Sequence, residues 1–579
     1  MAGIVPCMLL VFGPRSTTYD FGPGHPLTPR RFGPAIDLLR SVGAELGIAP
    51  EPAPDEELAW CHTRRYIDVV RRFSAQPFGG GANGIGDGGD DPPFAGMHEA
   101  GAAVAGGSLR AVEAVLRGDV EHAFHPGGGL HHAMPDRASG FCIYNDPALA
   151  IARVRRAGLR VLYVDLDVHH GDGVQAIHLD DPGVLTLSIH ETGRYLFPGT
   201  GDVDELGEGT AAGTAVNVPL EPGIGERPWL AAVRALVPEL AAAFGPDLVV
   251  SQHGADTHAW DPLAHLNLTT TAMGEAARLL DAVAHRHACG RWLATGGGGY
   301  DVYRVVPRTW SLVWLAGAHR DVPAATSADW RTRWATEAAR YGQTPLPATF
   351  DDPPNAGEPV DAAQDAAERR STATVALVRR AVVPRLLREA RDRGWWDPLG
   401  AAPAGRPADV EPPVATTGMP TILPVVDAAT WDKLVLAGGV LAPADPGAGH
   451  ALIAAGLRDG LRATLAVSGT SVVGAALSRP VDGTSRADML GLGVAAGWRR
   501  QGLAGRLLAA HVEGPPAGVD ELAAEVSVAD RDPRDPLDGR LRRDIARRLF
   551  EAAGFTVRSA DAGLRTADPA AIVAVRAGT

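Results

Sequence analysis

Residues 161–173 read Val-Leu-Tyr-Val-Asp-Leu-Asp-Val-His-His-Gly-Asp-Gly. A short apolar run ends in a loop dense in carboxylates and imidazoles. Such a run, closed by turn residues, is the pattern of a strand buried on both faces. Three other stretches repeat it. Leu248-Val-Val-Ser251 leads into Gln-His-Gly-Ala-Asp256, and Trp292-Leu-Ala-Thr295 leads into four glycines and Tyr300. An apolar stretch also precedes His125-Pro-Gly-Gly-Gly-Leu-His-His132. Helical patterns at 147–157, 226–244 and 271–288 lie between these runs. Alternation of this kind predicts an α/β fold with a doubly wound parallel sheet. The apolar run Ile4 to Phe12 reads as a further strand, not as a signal peptide, because it lacks a basic flank and a cleavage site.

The chain of 579 residues is 45% hydrophobic and 21% charged, enough to bury a large core. A net charge of −14 argues against a nucleic-acid partner. No stretch approaches the ~18 apolar residues of a membrane span. Cys7, Cys61, Cys142 and Cys289 lie far apart with no CxxC pair, which fits a reducing, cytoplasmic setting. Oligomeric state is left open by the sequence. Pro345 to Pro359 reads as a long excursion, and 360–393 as helical. The proline-, glycine- and alanine-rich stretch after Trp396 marks a linker. The chain thus divides into a large catalytic domain over 1–395, a linker over 396–415 and a smaller domain over 416–579.

In an open parallel sheet, the C-terminal strand ends converge on one crevice where ligands bind. Asp167 and His169, two apart on an extended segment, point the same way. With Asp256 they form a set suited to Zn²⁺, or to Fe²⁺. His131 and His132 beside such an ion could share base and acid roles, with Asp165 and Asp172 as orienting carboxylates. The run Gly296 to Tyr300 lacks the Lys-Ser/Thr of a phosphate loop; its tyrosine could instead hydrogen-bond a developing oxyanion.

Taken together, these segments resemble the arginase-like histone-deacetylase superfamily, and most closely its bacterial acetoin-utilisation deacetylases. The resemblance extends over about 1–390 through Gly24-His-Pro-Leu-Thr-Pro-Arg-Arg31, Gly96-Met-His-Glu99, Gly140-Phe-Cys-Ile-Tyr-Asn-Asp146, Phe197-Pro-Gly-Thr-Gly201 and Asp261-Pro-Leu263, besides the stretches above. It implies a deacetylase that releases lysine and acetate from acetyl-lysine. Asp167, His169 and Asp256 would hold the metal, His131 and His132 would move protons, and Tyr300 would polarise the carbonyl. Gly140, Phe141, Phe197, Leu263 and Gly298 would line the acyl-lysine tunnel. Asp90 or Asp91 would grip substrate at the rim, and Arg31 would lie beneath the site near an acetate path. A structural K⁺ would sit near Asp165, His169 and Ser188. The implied partner is an acetylated protein, of which acetyl-CoA synthetase is one example. A small-molecule amidohydrolase acting on acetylpolyamines, or a regulator without turnover, are the alternatives.

In the C-terminal segment, Gly491 to Leu508 runs from an apolar strand into Arg499-Arg-Gln-Gly-Leu-Ala-Gly505 and an apolar helix. This resembles the acetyl-CoA pyrophosphate loop of GCN5-related N-acetyltransferases, an α+β fold. Leu549 to Phe555 resembles that family's closing motif, and Arg462–Val467 with Ser471–Leu477 would form a central hairpin. The resemblance implies acetyl-CoA binding through Arg499, Arg500, Gln501, Gly502, Leu503, Ala504 and Gly505. Phe550 stands where many such enzymes carry a tyrosine acid, and it cannot donate a proton.

Overall fold

A computed structural model describes residues 8–87, 90–352 and 361–392, and separate segments between 421 and 577. Contacts divide the chain into two compact units. One comprises Met1–Ala284 and Gly290–Leu386; the other comprises Leu387–Thr579 with His285–Cys289. The linker at 396–415 lies outside the described residues.

The first unit is built on eight strands: β1 (Met8–Val11), β2 (Leu46–Ile48), β3 (His122–His125), β4 (Val161–Asp165), β5 (Val184–Glu191), β6 (Ala215–Leu220), β7 (Leu248–Gln252) and β8 (Trp292–Thr295). They form one sheet in the order β2-β1-β3-β8-β7-β4-β5-β6, with every pairing parallel. All residues of β3 to β8 are buried, because helices cover both faces. The expected helices form at Asp146–Arg156, Glu226–Phe244 and Thr270–His287.

The four strands that end in reactive residues, β3, β8, β7 and β4, are consecutive in this sheet. Their ends are also level. His125 pairs with Thr295, Thr295 with Gln252, and Gln252 with Asp165. The loops beyond them therefore leave the sheet from one line.

The excursion near 345–352 is pinned to this body. Arg308, fully buried, donates to Asp352 at 2.7 Å and to the Phe350 carbonyl at 3.2 Å. Asp352 also accepts from the backbone N–H of Thr270 at 2.8 Å, satisfying the start of the helix Thr270–His287, and lies 2.9 Å from His258 Nε2. Burial pushes the Asp352 carboxyl up, but the His258 hydrogen bond and the Arg308 charge prevail and hold it well below the usual range. A depressed carboxylate stabilises the fold above its unfolded pKa of about 4, and that stability is lost as pH falls toward the folded value. Asp352→Ala, which leaves a buried guanidinium without its partner, is expected to cost about 3–5 kcal/mol in urea denaturation at neutral pH. The difference from wild type should shrink in acid.

The second unit carries a seven-stranded sheet: β9 (Thr421–Pro424), β10 (Arg462–Ser468), β11 (Ser471–Pro480), β12 (Arg486–Val494), β13 (Glu521–Val526), β14 (Thr556–Ser559) and β15 (Ile572–Ala577). Its order is β14-β15-β13-β12-β11-β10-β9. Pairing is antiparallel except between β12 and β13. The hairpin β10–β11 forms in the expected place. The helix Leu503–Val512 is fastened to it by buried His511, whose ring nitrogens lie 2.9 Å from Thr464 Oγ1 and 2.9 Å from Ser478 Oγ. Phe550 is buried against Phe555, with ring centroids 5.0 Å apart. Arg499, Arg500, Gln501 and Gly502 lie outside the described residues, as do the side chains of Leu503 and Ala504, and Gly505 is described only as part of the helix backbone. Among the described residues, no helix is long and apolar enough to cross a membrane.

Candidate active site

The loops after β3, β4, β7 and β8 meet over the level strand ends. Asp167 and His169 come after β4, and Asp256 after β7. His169 Nδ1 lies 3.0 Å from Asp167 Oδ1 and 3.3 Å from Asp256 Oδ2. Zn–N and Zn–O bonds of about 2.0–2.1 Å give tetrahedral edges of about 3.3 Å, so these donors already stand at ligand spacing. Asp256 Oδ2 is buried and accepts no hydrogen bond. Burial and the neighbouring Asp167 push the Asp256 carboxyl up to about 6. A buried carboxylate oxygen faced by an imidazole nitrogen and crowded by a second carboxylate fits a divalent cation.

The other Asp167 oxygen is held fast. It accepts from Gln252 Nε2 at 2.6 Å and from the Gly298 N–H at 2.8 Å. A side chain at Gly298 would collide with the Asp256 carboxylate.

His131 and His132 stand next to this set, with ring centroids 4.0 Å apart. His131 Nδ1 lies 2.8 Å from Asp165, and His132 Nδ1 lies 2.7 Å from Asp172. Each carboxylate fixes a tautomer, leaving both Nε2 atoms for chemistry. The two environments differ. Burial lowers His131, but Asp165 and Asp167 outweigh it and raise the ring to about 9. Burial and the charge of His131 bring His132 down to about 4.

The doublet is braced from behind by residues to which the sequence alone assigns no role. Asn145 Nδ2 donates to the carbonyls of His131 and Ala133, each at 3.0 Å. Buried Asp146 accepts from the N–H groups of Gly129 and Leu130 at 3.0 and 2.8 Å, and from Ser108 at 2.5 Å. Ser108 Oγ lies 2.8 Å from His125 Nδ1. These residues span the glycine run and fix where it delivers the histidines. The one available signal is the Asn-Asp pair closing the 140–146 stretch, but side-chain capping of a distant loop leaves no periodicity to read.

A narrow cleft leads to these groups, lined by Leu27, Leu130, Gly140, Phe141, Cys142 and Tyr300 among others. Gly140 has φ +53°. A Cβ there would stand 2.6 Å from the His132 ring and 2.7 Å from Phe197. A hydrogen is all the wall accommodates. Phe197 lies 5.0 Å from the His132 ring and is 40% exposed, so it stands at the mouth. Tyr300 faces Phe141 edge-on at 6.0 Å, and its backbone N–H donates to Asp261 at 2.9 Å. Burial, then Asp256 and Asp167, raise the Tyr300 phenol well above its ordinary value, so it keeps its proton.

Several expected positions sit differently from one another. Arg31 is buried and donates to the Gly297 carbonyl at 2.6 Å, below the glycine run. Leu263 is half-buried beside Asp261, and Leu27 supplies apolar wall that sequence reasoning missed. Asp91 is 2% exposed with one oxygen lacking a hydrogen-bond partner, whereas Asp90 is exposed. Ser188 pairs with Asp165 across β4 and β5 and lies 2.8 Å from His190 Nδ1.

Among the described residues, two groups hold metal-ligating atoms within 4.8 Å of one another. One is Asp167, His169 and Asp256; the other is His122, Asp281, His285 and His319. His122 opens β3, while the histidine doublet comes after its end, so the second group lies at the opposite pole of the sheet. Only the first faces the doublet and Tyr300.

A family model described as "Histone deacetylase domain" matches residues 25–316. The chain belongs to the histone deacetylase family. Within it, the chain is similar to the acetoin utilization protein AcuC of Bacillus subtilis, at 41% identity over 370 residues, covering 63% of this chain and 94% of that protein. The AcuC of Staphylococcus xylosus is 36% identical over 346 residues, covering 58% and 88%. Among solved structures, a histone deacetylase homologue from Aquifex aeolicus shares 28% identity with a TM-score of 0.55, covering 63% of this chain and 99% of that one. The family model ends at residue 316, so it gives no support to an acetyltransferase reading of the second unit.

Proposed function

We propose that the first unit hydrolyses acetyl-lysine in proteins to lysine and acetate, in a metal-dependent reaction. The observation that carries this reading is the meeting of Asp167, His169 and Asp256 at ligand spacing beside the buttressed histidine doublet and Tyr300. When bound there, Zn²⁺ or Fe²⁺ supplies Lewis-acid chemistry, polarising the acyl carbonyl and acidifying water.

The chain's own groups do the rest. The cleft between Phe141, Phe197 and Gly140 holds an unbranched aliphatic stem and excludes bulk water. Neutral His132 takes the proton of the attacking water at Nε2, with Asp172 steadying the imidazolium. The Tyr300 hydroxyl donates to the carbonyl oxygen as charge gathers on it. The C–N bond breaks, the amine nitrogen takes up the proton from a histidinium, and the water oxygen stays on the acyl carbon as acetate. Arg31 offers the acetate a cationic neighbour below the site. Asp90, exposed at the rim, is the carboxylate that reaches substrate backbone. Asp165, His169 and Ser188 mark the place of a structural K⁺.

A cytoplasmic acetylated enzyme such as acetyl-CoA synthetase fits the acetoin-utilisation relatives as a target. The second unit is read as an acetyl-CoA-binding, acetyltransferase-like domain on its sequence motif, with Phe550 leaving its acid unassigned.

The test is hydrolysis of acetyl-lysine peptides and acetylpolyamines by the purified full chain. Peptide turnover abolished by chelation and restored by Zn²⁺ or Fe²⁺ is expected. Turnover indifferent to chelation, or confined to polyamines, defeats the reading.

A further inference from the structure

The second cluster of donors lies away from the catalytic groups and has no part in their reaction. His122 opens β3, Asp281 lies in the helix Thr270–His287, and His319 comes just after the helix Val306–Gly317. All three belong to the first unit. Asp281 Oδ1 lies 3.3 Å from His122 Nε2 and 3.1 Å from His319 Nε2. The two imidazoles stand edge to face, with centroids 5.2 Å apart.

We infer that His122, Asp281 and His319 form a second divalent-metal site, of a structural kind, taking Zn²⁺. Three observations carry this. First, the separations of 3.1 and 3.3 Å around Asp281 match the edge of about 3.3 Å expected for zinc ligands. Second, the donor set of imidazoles and one carboxylate suits a borderline ion such as Zn²⁺. Third, His319 occupies a backbone position that favours glycine. Its φ is +53°, and it ends its helix with its N–H on the Ala316 carbonyl at 3.1 Å and that of Arg320 on Leu315 at 2.9 Å. Glycine is the default residue at such a helix end. A histidine held there in a left-handed conformation places its ring on Asp281.

An ion at this point would tie the start of a central strand to one helix and to the turn that ends another. It lies at the pole opposite the catalytic groups, so it would brace the fold without touching substrate. The chemistry needs no electron transfer and no exchange of groups, only release of ring protons from whichever imidazoles carry them.

The decisive experiment counts zinc. The full chain is stripped with a chelator, dialysed against Zn²⁺, desalted and measured by atomic emission. Wild type should hold two equivalents. His319→Gly, which suits the backbone, and Asp281→Asn should each hold one and keep deacetylase activity. Asp256→Asn should also hold one, and its melting temperature should rise with Zn²⁺. The double variant with His319→Gly should hold none and show no such rise. One equivalent in wild type, or an unchanged count in both His319→Gly and Asp281→Asn, overturns the inference. The count in the Asp256→Asn background is independent of whether the first unit deacetylates anything, so the two readings fail separately.

Discussion

Replacing His132 with alanine is expected to lower kcat on an acetyl-lysine peptide by about 10²–10⁴, the range for loss of a positioned proton carrier. His132 is chosen over His131 on electrostatic grounds. His131 sits between Asp165 and Asp167, whose charges raise it, so it holds its proton more tightly than its neighbour and is the poorer base of the pair. Burial and the neighbouring charge bring His132 down to about 4, so it is neutral and able to accept. The sign of a second effect comes from the same pair. His131→Ala removes a charge that depresses His132, so the pKa of His132 rises. The acid limb of the pH–rate profile should then move to higher pH. Steady-state kinetics from about pH 3 to pH 9 on wild type and both variants checks this. A His132→Ala enzyme with near-normal kcat, or an acid limb that moves downward in His131→Ala, contradicts the assignment.

Tyr300→Phe should cost about 10²–10³ in kcat, the usual loss when one oxyanion donor is removed. Little else should change. The Tyr300 backbone is anchored by its N–H on Asp261 and by Gln343 Nε2, 3.2 Å from its carbonyl. The ring should therefore keep its place opposite Phe141. The metal ligands are untouched, so zinc content by atomic emission should equal that of wild type, and KM should move little. Loss of zinc in this variant would show a structural role; full activity would remove the phenol from the reaction.

The core of this design was legible because strands buried on both faces announce themselves as short apolar runs, each closed by conspicuously polar residues. The order of the strands was not legible. Nothing in 161–173 says that β4 pairs with β7, or that β3 and β4 are separated by two later strands. Convergence was therefore a rule applied to a sheet of unknown order, and the level register of His125, Thr295, Gln252 and Asp165 supplied its geometric basis. Residues acting through the backbone escaped notice for a different reason. Asn145 and Asp146 bond main-chain groups of a loop more than a dozen residues away, and Asp352 caps a helix that begins 82 residues before it. Such partners carry no local spacing. The contrast of Asp90 with Asp91 was hidden because adjacent identical residues differ only in which way the chain turns them.

The reacting groups hang from four neighbouring strands whose last residues stand in one register. A slip of one residue in any of them would carry its group about 3.3 Å along the strand and turn it toward the wrong layer. The catalyst therefore has no half-assembled form: turnover is a readout of whether the whole slab is aligned.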